Sequence, residues 1–204
     1  MSGEHSEIID LIDKITEAKS DVATTKFWSD NVLREKLISN AERLVSLVRT
    51  PEEIVLHQST LPVQNFTIRT AIDLALFNLV PSSGSGIHID DLSKAVKVDE
   101  HLLTRLLRVC TSISLFCSPS PSHYAQTPLS AIFLSSPHRD HFAQIYDFTG
   151  RAVYMLPSWL RTTHYRYPIE YSAAPFQYAL GTPLGFWEYL DEDPARAKLF
   201  NSGY

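Results

Sequence analysis

The chain has 204 residues, a formal net charge of −5, 44% hydrophobic residues and 20% charged residues. That composition describes an ordinary soluble globular chain, long enough to bury a core, as one domain or two small lobes. No run of 18 apolar residues occurs, which excludes a transmembrane helix, and the acidic start MSGEHSEIIDLIDK excludes a signal peptide. Cys110 and Cys117 read as two buried thiols of a cytoplasmic protein rather than a disulfide or a metal pair.

Residues 4–19 form an amphipathic helix, with Ile8, Ile9, Leu11, Ile12 and Ile15 on one broad face. Such a helix either packs on its own core or reaches across a dimer. A polar break at 20–26 precedes a longer helix at 27–49, where Trp28, Val32, Leu37, Ala41, Leu44, Val45 and Val48 approximate helical spacing. Thr50-Pro51-Glu52-Glu53 starts the next helix: Thr caps, Pro fits the first turn and Glu53 completes a capping box. That helix is expected to end before Pro62. Residues 63–80 read as a separate buried helix, from the apolar density around Phe66, Leu74, Phe77 and Leu79. Pro81 to Gly86 is a loop.

Residues 87–134 read as helix, turn, helix, two-stranded ribbon and helix, the order of a winged helix. Asp90 or Asp91 caps the first helix, and Leu92, Ala95 and Val96 line its apolar face. Asp99 caps the second, which buries Leu102, Leu103, Leu106, Leu107 and Val109. Leu115 to Cys117 and His123 to Ala125 are the strands, joined by Ser118 to Ser122. Thr127-Pro128 starts the closing helix. A winged helix can read DNA, but Arg105, Arg108 and His101 face Asp99 and Glu100, and no basic stripe exists in a chain of charge −5. The charge pattern argues against a nucleic-acid partner.

Residues 138–161 form the next helix, which Pro157 kinks or ends. His138, Asp140 and His141 could share a face, but no further ligand with matching spacing is visible, so they read as a solvated helix start and no metal site is assigned. Residues 162–174 are rich in aromatics without a period. His164, Tyr165, Tyr167 and Tyr171 could cover an apolar ligand or pack as a loop. A short helix over 175–180 ends at Gly181. Thr182-Pro183 starts another helix, carrying Phe186, Trp187 and Leu190, and Asp193-Pro194 starts the last, closed by Gly203. The fold class expected is mainly α with one small β-wing.

Two blocks carry a resemblance. Leu92, Val98, Leu102, Arg105, Leu106, Leu107, Arg108, Tyr124, Thr127 and Ser130 form the first, and PFQYALGTPLGFWEYLDEDPARAKLFNSG at 175–203 the second. Together they resemble the N-terminal dimerisation domain of plant- and fungal-type S-adenosylmethionine-dependent O-methyltransferases, over roughly residues 40–204. The resemblance implies a dimer arm over 1–60, a winged-helix dimerisation core over 61–136 and a helical lid or linker over 137–204. In that family a Rossmann-like domain follows and binds the methyl donor through a glycine-rich strand-to-helix turn. This sequence ends at Tyr204, has 7 Gly, and clusters them only in Ser83-Gly84-Ser85-Gly86, which reads as a loop. No cofactor site is therefore expected.

Three functions follow from the resemblance. The first is a dimerisation domain in secondary metabolism, with no methyl transfer alone, acting as a homodimer or beside a full-length O-methyltransferase. Ile8, Ile12, Phe66, Leu74 and Phe77 are its expected interface. The second is a cofactor-free cyclase or pericyclase for an aromatic or polyketide compound, so whether the chain is an enzyme stays open. Its catalytic candidates are His164, Tyr165 and Arg166, and Phe176, Tyr178, Phe186 and Trp187 would bind substrate. The third is an inactive methyltransferase fragment, which would expose an apolar patch near Asp193 and aggregate. No membrane partner is expected.

Overall fold

A computed structural model of the chain describes residues 2–24, 27–166 and 174–202. The chain divides into two units, Met1–Leu61 and Pro62–Tyr204.

The N-terminal unit contains α1 (Ser2–Glu17), α2 (Lys19–Val22), a 3-10 turn (Phe27–Ser29), α3 (Asn31–Val48) and the start of α4 (Pro51–Asp73). The short α2 occupies part of the expected break. Asp30 caps α3 by accepting the Leu33 N–H at 3.0 Å. Thr50 and Glu53 form the expected capping box: Glu53 Oε2 accepts from Thr50 N at 2.9 Å, and Thr50 Oγ1 accepts from Glu53 N at 3.3 Å. Arg43 on α3 clasps Glu7 on α1 through two hydrogen bonds, 2.7 and 3.0 Å. Both side chains are exposed, so the clasp sets geometry more than stability. Among the described residues of this unit, only Leu11 and Phe27 are buried hydrophobics.

One expected boundary is absent. Pro62 lies inside α4 instead of ending the preceding helix. Proline's fixed φ suits a helix, and its cost is one missing N–H and crowding at one carbonyl. The interruption comes later, where Ala75 adopts a left-handed backbone with φ 51°. The chain then restarts as α5 (Leu76–Leu79), so the helix expected over 63–80 is two pieces. This kink turns Leu76, Phe77 and Val80 into the core and leaves Phe66 and Leu79 exposed.

The second unit continues with β1 (Ile87–His88), α6 (Ile89–Val96), α7 (Glu100–Ser112), β2 (Phe116–Cys117), β3 (His123–Gln126) and α8 (Pro128–Ala131). The sheet has three strands in the order β1-β3-β2, all antiparallel. β1 was not expected. It pairs Ile87 with Tyr124 because Gly86 turns the chain there at φ +79°, and a Cβ at Gly86 would lie 2.6 Å from the Tyr124 carbonyl oxygen. His88, not Asp90 or Asp91, caps α6: its Nδ1 accepts the Asp90 N–H at 3.3 Å. β1 carries the chain one residue further before the helix begins, which leaves both aspartates in the first turn. Asp99 caps α7 as expected, at 3.0 Å from Leu102 N.

The core joins α4, α5, α6, α7 and the sheet. Phe77 stacks on Phe133 with ring centroids 4.7 Å apart and tilts against Phe116 at 5.4 Å. Leu92, Leu103, Leu107 and Cys110 are fully buried beside them. Two expected core positions are exposed, Leu102 and Cys117. Leu102 lies one position before the buried Leu103-Leu106-Leu107-Cys110 stripe, so it projects away from it. Cys117 sits opposite Phe116 on the pleat, so burying one exposes the other. Gln126 ties the sheet to α5 by donating to the Val80 carbonyl at 2.9 Å and to that of Phe77.

A 3-10 turn (Ile132–Leu134) leads to α9 (Ser136–Gln144), a π-helical turn (Ile145–Gly150) and α10 (Arg151–Thr162). The helix expected over 138–161 is thus continuous but carries a wide turn, and Pro157 lies within α10 without ending it. After α11 (Pro175–Leu180) come α12 (Phe186–Asp191) and α13 (Pro194–Ser202). α12 starts at Phe186 rather than at Thr182-Pro183, because the Glu188 carboxylate caps it by accepting the Gly185 N–H at 2.9 Å. Gly203 lies outside the described residues. No described helix is long and apolar enough to cross a membrane.

Candidate functional site

A cleft of the second unit lies beside the π turn. π turns add a residue to a helical turn and recur at functional sites. Here Phe142, Ile145 and Tyr146 reach the cleft from α9 and the π turn. Gly150, Arg151, Tyr154 and Met155 reach it from the turn's end and α10, Ala179 from α11 and Asn65 from α4. The cleft has a volume of about 520 Å³, within the range of small-molecule sites.

An ion pair holds the turn in place. Arg69 on α4 donates from Nη2 to Asp147 Oδ2 at 2.8 Å and from Nε to Oδ1 at 3.1 Å, and also bonds Asp73. Asp147 holds the guanidinium pKa above its ordinary value, against the opposing effect of burial. Asn65 is one helical turn before Arg69, and Tyr146 adjoins Asp147. The pair therefore fixes two cleft walls at once. The remaining polar groups at the cleft are the Tyr146 and Tyr154 hydroxyls, the Asn65 amide and the Arg151 guanidinium. Among the described residues no carboxylate lines it.

Residues 61–136, from the end of α4 through the sheet to α8 and the turn after it, match the family model of the O-methyltransferase dimerisation domain. The chain carries an O-methyltransferase dimerisation domain. Over 171 residues it is 37% identical to O-methyltransferase GME11366 of Pestalotiopsis microspora, covering 84% of this chain and 42% of that protein. It is 32% identical to O-methyltransferase OME1 of Pyricularia oryzae, over 82% of this chain and 34% of the relative. Demethylsterigmatocystin 6-O-methyltransferase of Aspergillus parasiticus is 24% identical over 194 residues, 95% of this chain and 48% of the relative. The chain thus spans less than half the length of these curated relatives. Among solved structures, OxaC superposes with a TM-score of 0.85 at 20% identity, over 98% of this chain and 50% of OxaC. A pericyclic reaction enzyme gives 0.80 at 18% identity, over 94% and 50%. These structural likenesses show the fold.

The resemblance implies a methyl donor held at a glycine-rich turn from strand to helix. In the dimerisation domain, β1 runs directly into α6 through His88, without a glycine in the turn. Gly86 serves close packing of backbone on Tyr124. This turn therefore offers no glycine cradle of that kind.

None of the predicted site residues is among those lining the cleft. Phe176 and Phe186 are committed to a ring cluster with Phe148, Tyr189 and Phe200, at centroid distances of 5.4–6.5 Å. Trp187 rests on the cluster's rim, and Tyr178 is exposed. Arg196 stands 4.0 Å over the Tyr189 ring and extends this packing. His164, Tyr165 and Arg166 are exposed after α10, with His164 and Tyr165 at φ 52° and 58°. Tyr167 and Tyr171 lie outside the described residues. Of the expected interface, Ile12 and Phe66 are exposed and Ile8 and Leu74 half-buried, whereas Phe77 is 1% exposed. Phe77 is a core residue with no surface to offer, because the kink at Ala75 turns it inward.

Asp140 accepts from Arg139 Nε at 2.9 Å and from Ser202 Oγ at 2.7 Å. Burial raises its pKa, but these two hydrogen bonds outweigh burial and hold the carboxyl below its ordinary value. Among the described residues no group of three or more His, Cys, Asp or Glu could hold a metal ion. The cleft itself is missed by a periodicity reading. Phe142, Ile145, Tyr146, Thr149, Ala152, Val153 and Leu156 repeat at about three and four along the sequence, but the π turn shifts the register between the two halves.

Proposed function

We propose that this chain is the dimerising, pocket-bearing half of an O-methyltransferase-type protein of fungal natural-product metabolism. Two copies associate through their N-terminal helices, and the cleft beside the π turn forms one wall of a small-molecule site. The observation that carries this reading is the apolar surface of α3 and α4, where Val32, Val48, Val55 and Leu56 are each more than 60% exposed. A monomeric protein rarely leaves contiguous apolar patches uncovered, and the matched family model is a dimerisation domain. On this reading methyl transfer draws on a further domain, in this polypeptide or in a full-length relative paired with it. With its two free thiols the chain suits the cytoplasm.

A second reading has its own support. Tyr146, Tyr154, Asn65 and Arg151 place hydrogen-bonding groups around an apolar cavity. That arrangement can orient a substrate and stabilise developing charge without a cofactor. Native mass spectrometry under gentle conditions separates the readings. Particles of twice the 23.1 kDa chain without ligand support the dimerising half. A dimer carrying a stoichiometric aromatic compound, turned over on incubation, supports the cofactor-free enzyme. An aggregating monomer contradicts both and leaves an inactive fragment.

A further inference from the structure

The wing holds a pair of histidines that neither the core nor the cleft uses. His88 on β1 stands directly opposite His123 on β3. The adjoining pair is joined by the Ile89 N–H, which donates to the Ser122 carbonyl at 2.9 Å. Bonded and non-bonded pairs alternate along an antiparallel ladder, so the histidines occupy a non-bonded position, where facing side chains come closest. Their ring centroids are 5.0 Å apart, with the planes at 71°. Both residues are half-buried, which holds the rings in place and leaves them open to solvent.

Each ring is also steered through its Nδ1. His123 Nδ1 lies 3.0 Å from the Pro121 carbonyl oxygen. A carbonyl only accepts, so Nδ1 carries the proton and Nε2 keeps its lone pair. His88 Nδ1 accepts the Asp90 N–H at 3.3 Å and lies 3.5 Å from Asp90 Oδ1. With an ion at Nε2, the His88 ring proton moves to Nδ1, where the Asp90 carboxylate is placed to accept its hydrogen bond. A carbonyl or carboxylate on the second nitrogen is the usual support of a metal-bound imidazole. Two imidazoles that meet one tetrahedral ion at about 2.0–2.1 Å bring their centroids about 5 Å apart. From this juxtaposition we propose that His88 and His123 bind a divalent transition-metal ion, of the zinc and nickel kind that imidazole suits, through both Nε2 atoms. Among the described residues no group of three or more His, Cys, Asp or Glu could hold a metal ion, so water completes the coordination. The ion ties β1 and the entry to α6 to the wing strand β3.

The test is calorimetric titration of the full chain with zinc chloride, beside thermal melts with and without the salt. One zinc ion binds per chain at micromolar affinity and raises the melting temperature. His123→Gln lowers the affinity at least about tenfold, because the second imidazole no longer closes on the ion as an intramolecular ligand, and it removes the rise. His88→Gln does the same. That variant also gives up the α6 cap, so melts without zinc check its folding. His123→Gln leaves the cap in place and decides the matter where His88→Gln does not fold. His138→Gln with His141→Gln, and Cys117→Ser separately, leave zinc binding unchanged. Binding that survives His123→Gln, or that is lost in the His138→Gln, His141→Gln or Cys117→Ser chains instead, overturns the site, as does the lack of any binding at micromolar zinc.

Discussion

The two units spend their apolar residues differently. In Pro62–Tyr204 the aromatic and aliphatic side chains of α5, α7 and the sheet close on each other, and Leu76, Leu92, Leu103 and Leu107 are fully out of water. In Met1–Leu61 only Leu11 and Phe27 are buried hydrophobics among the described residues, although α1, α3 and α4 are rich in Ile, Leu and Val. Burial of apolar surface supplies most of the drive to fold. One unit therefore has a closed core of its own, and the other leaves most of its apolar side chains uncovered among the described residues. Those exposed faces of α3 and α4 are the surface that the proposed dimer would bury.

That contrast can be broken or sharpened by substitution. The largest effect is expected on assembly: Val45→Glu with Val48→Glu, one turn apart on α3, should convert the dimer to monomer without unfolding Pro62–Tyr204, as read by native mass and by far-ultraviolet circular dichroism. Next is the closed core. Phe77→Ala should cost about 3–5 kcal/mol in urea unfolding, because it removes a ring stacked on Phe133 and in contact with Phe116. Gly86→Ala should cost about 2–3 kcal/mol through φ strain and the backbone contact with Tyr124. Breaking the Arg69–Asp147 pair with Asp147→Asn should cost about 1–2 kcal/mol and loosen the cleft, since Asp147 is only partly buried.

The smallest effects are chemical. Cys117 is exposed and should react with a disulfide reagent at once, whereas Cys110 should react only on unfolding. Burial pushes the Cys110 thiol up to about 12 from 9.0. Its folded pKa is raised, so its contribution to stability is whole below pH 9 and is lost as pH rises toward 12. Urea midpoints measured from neutral to alkaline pH should fall in that window, and Cys110→Ala should flatten the slope.

Local chemistry was legible wherever it was short-range. The Thr50–Glu53 box, the Asp99 cap and the order of helices and ribbon in the second unit can be read from residue type and spacing. The resemblance, carried by Arg105, Leu106, Leu107, Tyr124 and Thr127, pointed to the dimerisation domain that residues 61–136 match. The misreadings came from choices made in three dimensions. Pro62 continued a helix that long flanks hold together, and Ala75 broke one with no glycine or proline to announce it. The candidate ligand residues show the same limit. Phe176 and Phe186 pack on other rings, and the cleft is lined by Tyr146, Arg151 and Tyr154 around a π turn that no residue type announces.

Sedimentation equilibrium of the wild-type chain over a range of micromolar concentrations tests the central claim most directly. The account predicts a particle of twice the 23.1 kDa chain mass that persists on dilution and is lost in the Val45→Glu, Val48→Glu variant. A stable, non-aggregating 23.1 kDa monomer at every concentration would contradict it, and would mean that the apolar faces of α3 and α4 serve something other than a second copy of this chain.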